Sequence, residues 1–402
     1  MRVLMLAPRA PFPADHGAAL RNLYLLRWLG ERHEVTLVCF GDSSNQESHA
    51  ELLRHAKRVE IVPFPHRSSL DRLRLLGGSI QPDLAFRLWS PAMIARLKAL
   101  LNEQTFDVVQ IEGLEMVALW EAARGRCQAR LVLDEHNAEY VLQASAYRAS
   151  RTAGNWPGAA YSWVQAGRLR RFERRALRAA SRVITVSPED AASLRTIAPD
   201  VSPRVIPNGV DTDYFRPLER VTTMPPTALF IGKLDYRPNL DALDWLIGEI
   251  WPRVRAMAPR ARLLVVGRDP TPRIARAGGH QGIDIIGPVA DEREWFARSD
   301  LLMVPMRMGG GVRLKVVQAM ATGTPIVSTT AGMAGVGAVD GVHALIADSV
   351  EQFAARVVEA FNSSDLRATL ARDGRILVVQ RFDWRVLLPD LDELYASPMA
   401  TP

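Results

Sequence analysis

Short apolar runs rich in β-branched residues alternate along the chain with longer stretches whose apolar positions recur every three or four residues. Runs of the first kind read as buried strands and stretches of the second kind as helices lying on a sheet. Six strands are predicted in the first half, at Val3–Ala7, Glu34–Phe40, Val59–Val62, Asp107–Ile111, Arg130–Leu133 and Val183–Val186. Helical stretches such as Ala18–Leu29, Pro91–Leu101 and Ala160–Ala180 separate them. The second half repeats the pattern, with strands at Ala228–Ile231, Arg262–Val266, Ile283–Ile286, Leu301–Val304 and Pro325–Val327 and a long helix over Leu240–Met257. Two doubly wound α/β domains follow, each with a parallel sheet between helices.

Between the halves, Pro203, Pro207, Asn208, Gly209, Pro217, Pro225 and Pro226 supply turn residues. The expected organisation is an N-terminal domain over 1–207, a linker over 208–226, a second domain over 227–382 and a C-terminal helix within 383–402. That last helix is drawn from the apolar stripe Trp384, Val386, Leu387, Leu391, Leu394 and Tyr395, and either domain could receive it.

The length of 402 residues suits two domains of ordinary size. With 48% hydrophobic and 23% charged residues the composition is globular, so disorder, collagen and coiled coil are excluded. No run approaches a transmembrane span, and Met1–Leu6, soon followed by Pro8, is too short for a signal peptide. Cys39 and Cys127 stand alone without zinc spacing, which suits a reducing compartment. A cytoplasmic location is therefore expected. Charge is uneven: residues 1–207 hold 28 Lys and Arg against 21 Asp and Glu, a net of +7, while residues 208–402 hold 22 against 23, a net of −1. The densest cationic run is Arg168, Arg170, Arg171, Arg174, Arg175, Arg178 and Arg182. It reads either as a solvated helix face or as a peripheral contact with the inner face of the plasma membrane. No aromatic-interleaved basic motif points to nucleic acid.

In open parallel sheets, ligands bind beyond the carboxyl ends of the strands, and three loops there carry candidate chemistry. The loop after the first strand ends at Gly17, where a helix begins and backbone amides can meet a ligand. It is not the dinucleotide fingerprint of dehydrogenases. The loop after the fifth strand reads Asp134-Glu135-His136-Asn137-Ala138-Glu139, and His136 could donate to a sugar or phosphate oxygen or could simply be structural. No second His at metal spacing accompanies it, so no metal is expected. The third loop runs Gly309-Gly310-Gly311-Val312-Arg313-Leu314-Lys315 between a strand and a helix. Glycine amides, a helix N-terminus and two cations suit a diphosphate. On a regular helix Arg313 and Lys315 would lie about 200° apart, so both reach one phosphate only if Arg313 precedes the helix.

At these residues the chain resembles the retaining GT-B glycosyltransferases of family 4, along nearly its whole length. The family's donor motif, E-x7-E followed by A-M-A-x-G-x-P-V-V, falls on Gln318-Ala319-Met320-Ala321-Thr322-Gly323-Thr324-Pro325-Ile326-Val327. Val205-Ile206-Pro207-Asn208-Gly209-Val210-Asp211, the Gly17 loop, Thr185-Val186-Ser187 and Ile231-Gly232-Lys233-Leu234 also match, and the loop resembles the G-G-G-[TV]-R-L-K subgroup. The resemblance implies two Rossmann-like domains facing a central cleft. It implies a sugar carried in by a nucleotide diphosphate, UDP- or GDP-linked, with no other cofactor.

Carried over residue by residue, the resemblance gives His136, Lys233, Arg313 and Lys315 catalytic roles. The donor would be held by Gly17, Gly232, Arg237, Gly287, Val289, Gly309, Gly310, Gly311, Leu314 and Gln318. Two positions depart from the motif: Gly310 stands at its first acid, as is usual for the subgroup, and Gln318 at its second. Position 238, often Lys in relatives, is Pro, with Arg237 adjacent. Asp211-Thr212-Asp213 spells a metal-binding D-x-D but follows a turn at the domain junction. The expected function is retaining, metal-independent sugar transfer to a saccharide, lipid-linked saccharide or small-molecule acceptor in cell-surface polysaccharide or glycoconjugate synthesis. The alternative is a catalytically weak nucleotide-sugar-binding protein on the same scaffold.

Overall fold

The computed structural model describes residues 1–14, 16–66, 79–219, 225–308 and 311–396. The chain forms two compact units, one of Met1–Pro207 with the chain from Leu388 onward, the other of Asn208–Leu387.

The first unit runs β1 (Arg2–Ala7), α1 (Gly17–Arg32), β2 (Glu34–Phe40), α2 (Gln46–Leu53), β3 (Arg58–Val62), α3 (Asp83–Arg87), α4 (Pro91–Glu103) and β4 (Val108–Glu112). It continues with a short 3-10 turn, α5 (Val117–Ala123), β5 (Arg130–Glu135), α6 (Glu139–Thr152), α7 (Trp156–Ala179), β6 (Arg182–Thr185), α8 (Pro188–Ile197) and β7 (Arg204–Val205). The strands form one parallel sheet in the order β3-β2-β1-β4-β5-β6-β7. Val3–Ala7 is buried throughout because helices cover both sheet faces, which explains its unbroken apolar run. Strand order reverses beside β1, and its neighbour β4 places Gln110 opposite Met5.

The second unit runs β8 (Thr227–Ile231), α9 (Arg237–Trp245), a π-helical turn (Leu246–Ile250), α10 (Trp251–Met257), β9 (Arg262–Val266), α11 (Pro272–Ala277), β10 (Ile283–Ile285) and α12 (Arg293–Ala297). Then come β11 (Leu301–Val304), α13 (Leu314–Ala321), β12 (Ile326–Ser328), β13 (Leu345–Ile346), α14 (Val350–Asn362), α15 (Ser364–Arg381) and α16 (Trp384–Leu387). Its parallel sheet has the order β10-β9-β8-β11-β12-β13.

Two expected helices divide. The stretch read as one helix over Leu240–Met257 opens into the π-helical turn before Pro252, which has no N–H for the preceding turn. The apolar stripe at the C-terminus is α16 and a separate α17 (Pro389–Ala396), because Pro389 removes a donor and disfavours helix at Leu388. Helix α17 belongs to the first unit. Tyr395 stacks on His33 with ring centroids 5.6 Å apart, and Trp28 Nε1 donates to Asp392 Oδ1 at 3.0 Å. The two-residue strands β7 and β13 were too short to show a pattern.

Candidate active site

In the first unit, polar groups converge where β1, β4 and β5 end. His16 caps α1 by accepting from Ala19 N–H at 3.0 Å, so Gly17 is the first residue of that helix. One turn on, Arg21 and Asn22 are almost fully buried. The Arg21 guanidinium grips Asp134 at the end of β5, Nε to Oδ2 at 2.7 Å and Nη2 to Oδ1 at 3.1 Å, and donates to the Ile206 carbonyl at 2.9 Å. Burial opposes ionisation of Asp134, but the Arg21 charge outweighs it and holds the carboxyl below its ordinary value.

His136 follows β5, and its Nε2 lies 3.3 Å from Glu112 Oε2 and 4.0 Å from Asp134 Oδ2. Glu112 is wholly buried at the end of β4 and accepts from Gln110 Nε2 at 2.9 Å. With its amide oriented by these neighbours, Asn22 donates to Glu112 Oε2 at 3.0 Å. Burial and the Asp134 charge raise the Glu112 pKa. Burial alone would lower that of His136, but the Glu112 hydrogen bond and the two carboxylate charges raise it. The side-chain oxygen and nitrogen atoms of Glu112, Asp134 and His136 lie within 4.8 Å of one another. Arg21 already occupies both oxygens of Asp134, and a protonated His136 would complete a second ion pair with Glu112, an arrangement that offers a poor cradle for a cation. It can present a charged imidazole donor at the strand ends.

In the second unit, the loops after β8, β9, β10 and β11 share one sheet edge. Backbone hydrogen bonds join the first three: Gly232 N–H to Val266 O at 3.0 Å, Leu234 N–H to Arg268 O at 3.0 Å, and Gly267 N–H to Gly287 O at 3.0 Å. Gly267 lets its backbone pass Gly232, since a β-carbon there would sit 1.8 Å from the Gly232 carbonyl oxygen. Lys233 follows β8 and pairs with Asp235 at 3.2 Å, while Arg237 is the exposed first residue of α9. Val289 packs against this unit's core, as does Leu314, the first residue of α13.

Arg313 has an extended backbone and is the N-cap of α13, so it precedes the helix. Its guanidinium is partly buried, which lowers its pKa, and donates to the Met308 carbonyl at 3.0 Å. Lys315 lies in the first turn of α13 and pairs with Glu292, beside α12. Gln318 is one turn further on, 5% exposed, with its Oε1 buried and lacking a hydrogen-bond partner among the described residues. Gly311 has a positive φ of 71°, whereas Gly309 and Gly310 lie outside the described residues. Thus Lys233, Arg313, Lys315 and Gln318 stand on the carboxyl edge of one sheet, and Gly17 and His136 on that of the other.

Comparison with known proteins supplies the class of chemistry. Residues 16–214 match the family model described as Glycosyltransferase Family 4, and residues 225–363 the one described as Glycosyl transferases group 1. The chain is a glycosyltransferase of the GT-B fold. It is 28% identical over 345 residues to a phosphatidyl-myo-inositol mannosyltransferase of Propionibacterium freudenreichii subsp. shermanii, covering 82% of this chain and 77% of that one. The structure resembles sucrose-phosphate synthase from Thermosynechococcus elongatus, with a TM-score of 0.72 and 16% identity over 98% of each chain. It also resembles Anabaena HepE in complex with UDP and glucose, with a TM-score of 0.65 and 17% identity over 99% of this chain and 100% of that one.

Sequence reasoning missed several residues that the fold of this glycosyltransferase places in contact with the candidate site residues. Arg21 and Asn22 left a signal, two polar residues inside the apolar repeat of α1. Glu112 sat at the end of a predicted strand, one residue beyond its expected limit. Glu292 left none and Tyr395 only its place in the C-terminal apolar stripe, because only the fold brings them to their partners.

Proposed function

We propose that the chain transfers a sugar from a nucleotide-diphosphate sugar, UDP- or GDP-linked, to a saccharide or lipid-linked acceptor with retention at the anomeric carbon. The observation that carries this reading is the sheet edge of the second unit. Its glycine loops, the α13 N-terminus and the cations Lys233, Arg313 and Lys315 meet the requirements of a diphosphate, and the unpartnered Gln318 acceptor suits a ribose hydroxyl. As the glycosidic bond breaks, charge grows on the leaving phosphate, and fixed cations stabilise it without a metal. His136 donates to the transferred sugar. The name of the mannosyltransferase relative favours a lipid-borne acceptor in glycoconjugate synthesis.

A peripheral membrane contact fits the same reading. No helix among the described residues is long and apolar enough to cross a membrane. On α7, Trp156, Trp163, Gly167, Arg170 and Arg174 fall within a stripe about 60° wide, and both tryptophans are 67% exposed. Residues 140–172 contain no Asp or Glu but hold Arg148, Arg151, Arg168, Arg170 and Arg171. Exposed indoles beside arginines suit the interface of an anionic bilayer.

Calorimetric titration with UDP and GDP, with and without EDTA, tests the donor reading. One nucleotide binding tightly and indifferently to EDTA is expected; binding that requires a divalent metal, or none at all, overturns it. Turnover of the corresponding nucleotide sugar separates an enzyme from a binding protein. Flotation with phosphatidylglycerol vesicles tests the membrane contact, and recovery unchanged in Trp163→Ser with Arg170→Glu would remove it.

A further inference from the structure

The His136 cluster does not end at Glu112. Gln110 lies two residues earlier on β4, on the same face of the strand, and is fully buried. Its Nε2 donates to Glu112 Oε1 at 2.9 Å, while its Oε1 accepts from the Tyr395 hydroxyl at 3.0 Å. Tyr395 is also buried, on α17, 285 residues along the chain from Gln110. A continuous chain of hydrogen bonds therefore runs from the C-terminal helix through the sheet interior to the imidazole.

The bonds run in one direction along the chain. Gln110 presents its NH2 to Glu112, the orientation that suits an ionised carboxylate, which would repel the carbonyl oxygen. That leaves the amide oxygen on the far side, where the phenol hydrogen meets it. The phenol thereby locks the amide against turning, and the locked amide favours the ionised form of Glu112. The carboxylate in turn holds the imidazolium. Among the described residues, the charged groups around the cluster include Arg21 from α1, Asp134 from β5 and Glu139 from α6, with Arg130 from β5 and Asp392 from α17 at the Tyr395 end.

We propose that Tyr395 and Gln110 are positioning residues of the transferase, holding Glu112 ionised and His136 charged and oriented through a buried hydrogen-bond chain. The function of His136 rests on the reading given above; the chain itself does not. Because Tyr395 follows the whole second unit in sequence, the site in the first unit is complete only when the C-terminus has returned to it.

The test is the His136 titration in the full-length protein, followed by NMR of ring-labelled histidine and assigned among the eight histidines by His136→Gln. Tyr395→Phe keeps the ring that stacks on His33 and removes only the hydroxyl. It is expected to lower the His136 pKa by about half a unit, roughly a threefold change in the protonation equilibrium. Gln110→Met should lower it further, and the double variant should match Gln110→Met alone because the chain is already cut. Trp28→Phe loosens α17 through its Asp392 bond and should leave the titration in place. An unchanged titration in folded Tyr395→Phe overturns the proposal, and so does an equal shift in Trp28→Phe, which would make docking of the helix the cause. The pH profile of UDP release from UDP-glucose, or GDP release from GDP-mannose, is expected to move with the titration. If the NMR shift occurs and the profile stays put, the chain stands and the catalytic part of His136 falls.

Discussion

Glu135 and Glu173 make a strong demand on pH. Glu135 is the last residue of β5 and 1% exposed; Glu173 comes from the C-terminal half of α7 and is fully buried. Glu173 accepts from the Glu139 and Tyr140 amides at 2.8 and 3.0 Å, capping α6, whose own N-cap, Ala138, has no side chain to do so. Burial, then the Glu173 carboxyl, pushes Glu135 well above the usual range, and burial pushes Glu173 up to about 7. Both are raised, so the folded protein binds more protons than the unfolded chain above pH 4.5. Stability is therefore fully present below the unfolded value and falls as pH rises towards 7 and beyond. Each carboxyl contributes a slope of about 1.4 kcal/mol per pH unit. Glu173 alone, rising from 4.5 to about 7, accounts for about 3 kcal/mol across that window. Glu135→Gln supplies an NH2 that can donate to ionised Glu173, removing one titration and relieving the other. Hydrogen exchange of the Glu139 and Tyr140 amides from pH 5 to 8, corrected for intrinsic rates, reads the local opening energy. Wild type should lose protection with rising pH, and Glu135→Gln should lose much less. Equal slopes in the two proteins would refute the coupling of the two carboxyls.

Lys315→Ala should reduce transfer by about 100-fold or more, as for other removed transition-state donors, and leave urea stability within about 1 kcal/mol because its pair with Glu292 is partly exposed; turnover within threefold of wild type would end its phosphate role. Gln318→Glu places a carboxylate where an acceptor lacks a partner, so nucleotide affinity in calorimetry should rise about fivefold, the worth of a charge-assisted over a neutral hydrogen bond, and unchanged affinity would deny the ribose contact. Arg21→Met leaves Asp134 buried without its counter-ion and should cost about 3–5 kcal/mol in urea unfolding, partly recovered by adding Asp134→Asn; a loss below 1 kcal/mol would contradict the balanced-cluster reading.

The architecture was legible because it depends on a repeated local pattern. A strand segment buried on both faces must be apolar throughout, and Val3–Ala7, Leu263–Val266 and Leu301–Val304 announce themselves in that way. Boundaries were softer. Glu112, Asp134 and Glu135 continue their strands past the apolar run, since hydrogen bonding to neighbouring strands extends pairing into residues whose side chains serve the site. The helix breaks at Pro252 and Pro389 were written in the sequence but lost to the apolar periodicity around them.

Polar chemistry was legible only where it is local. Arg313, Lys315 and Gln318 occupy a single loop and helix, so spacing alone raised the question whether Arg313 precedes the helix, and its extended backbone answers it. The cluster around His136 is assembled differently. Gln110, Glu112 and Tyr395 look ordinary in sequence, Arg21 shows only as a polar residue inside an apolar repeat, and each is buried at a different place along the chain. A buried polar group has to find a partner or lose several kcal/mol, so the burial of one of them demands the others. The fold meets that demand by returning α17 to the first sheet, placing a phenol against a glutamine 285 residues away. Only the C-terminal apolar stripe hinted at the return. It marks a helix with something to bury against, while the hydroxyl carried with it reaches the interior of the sheet that holds His136.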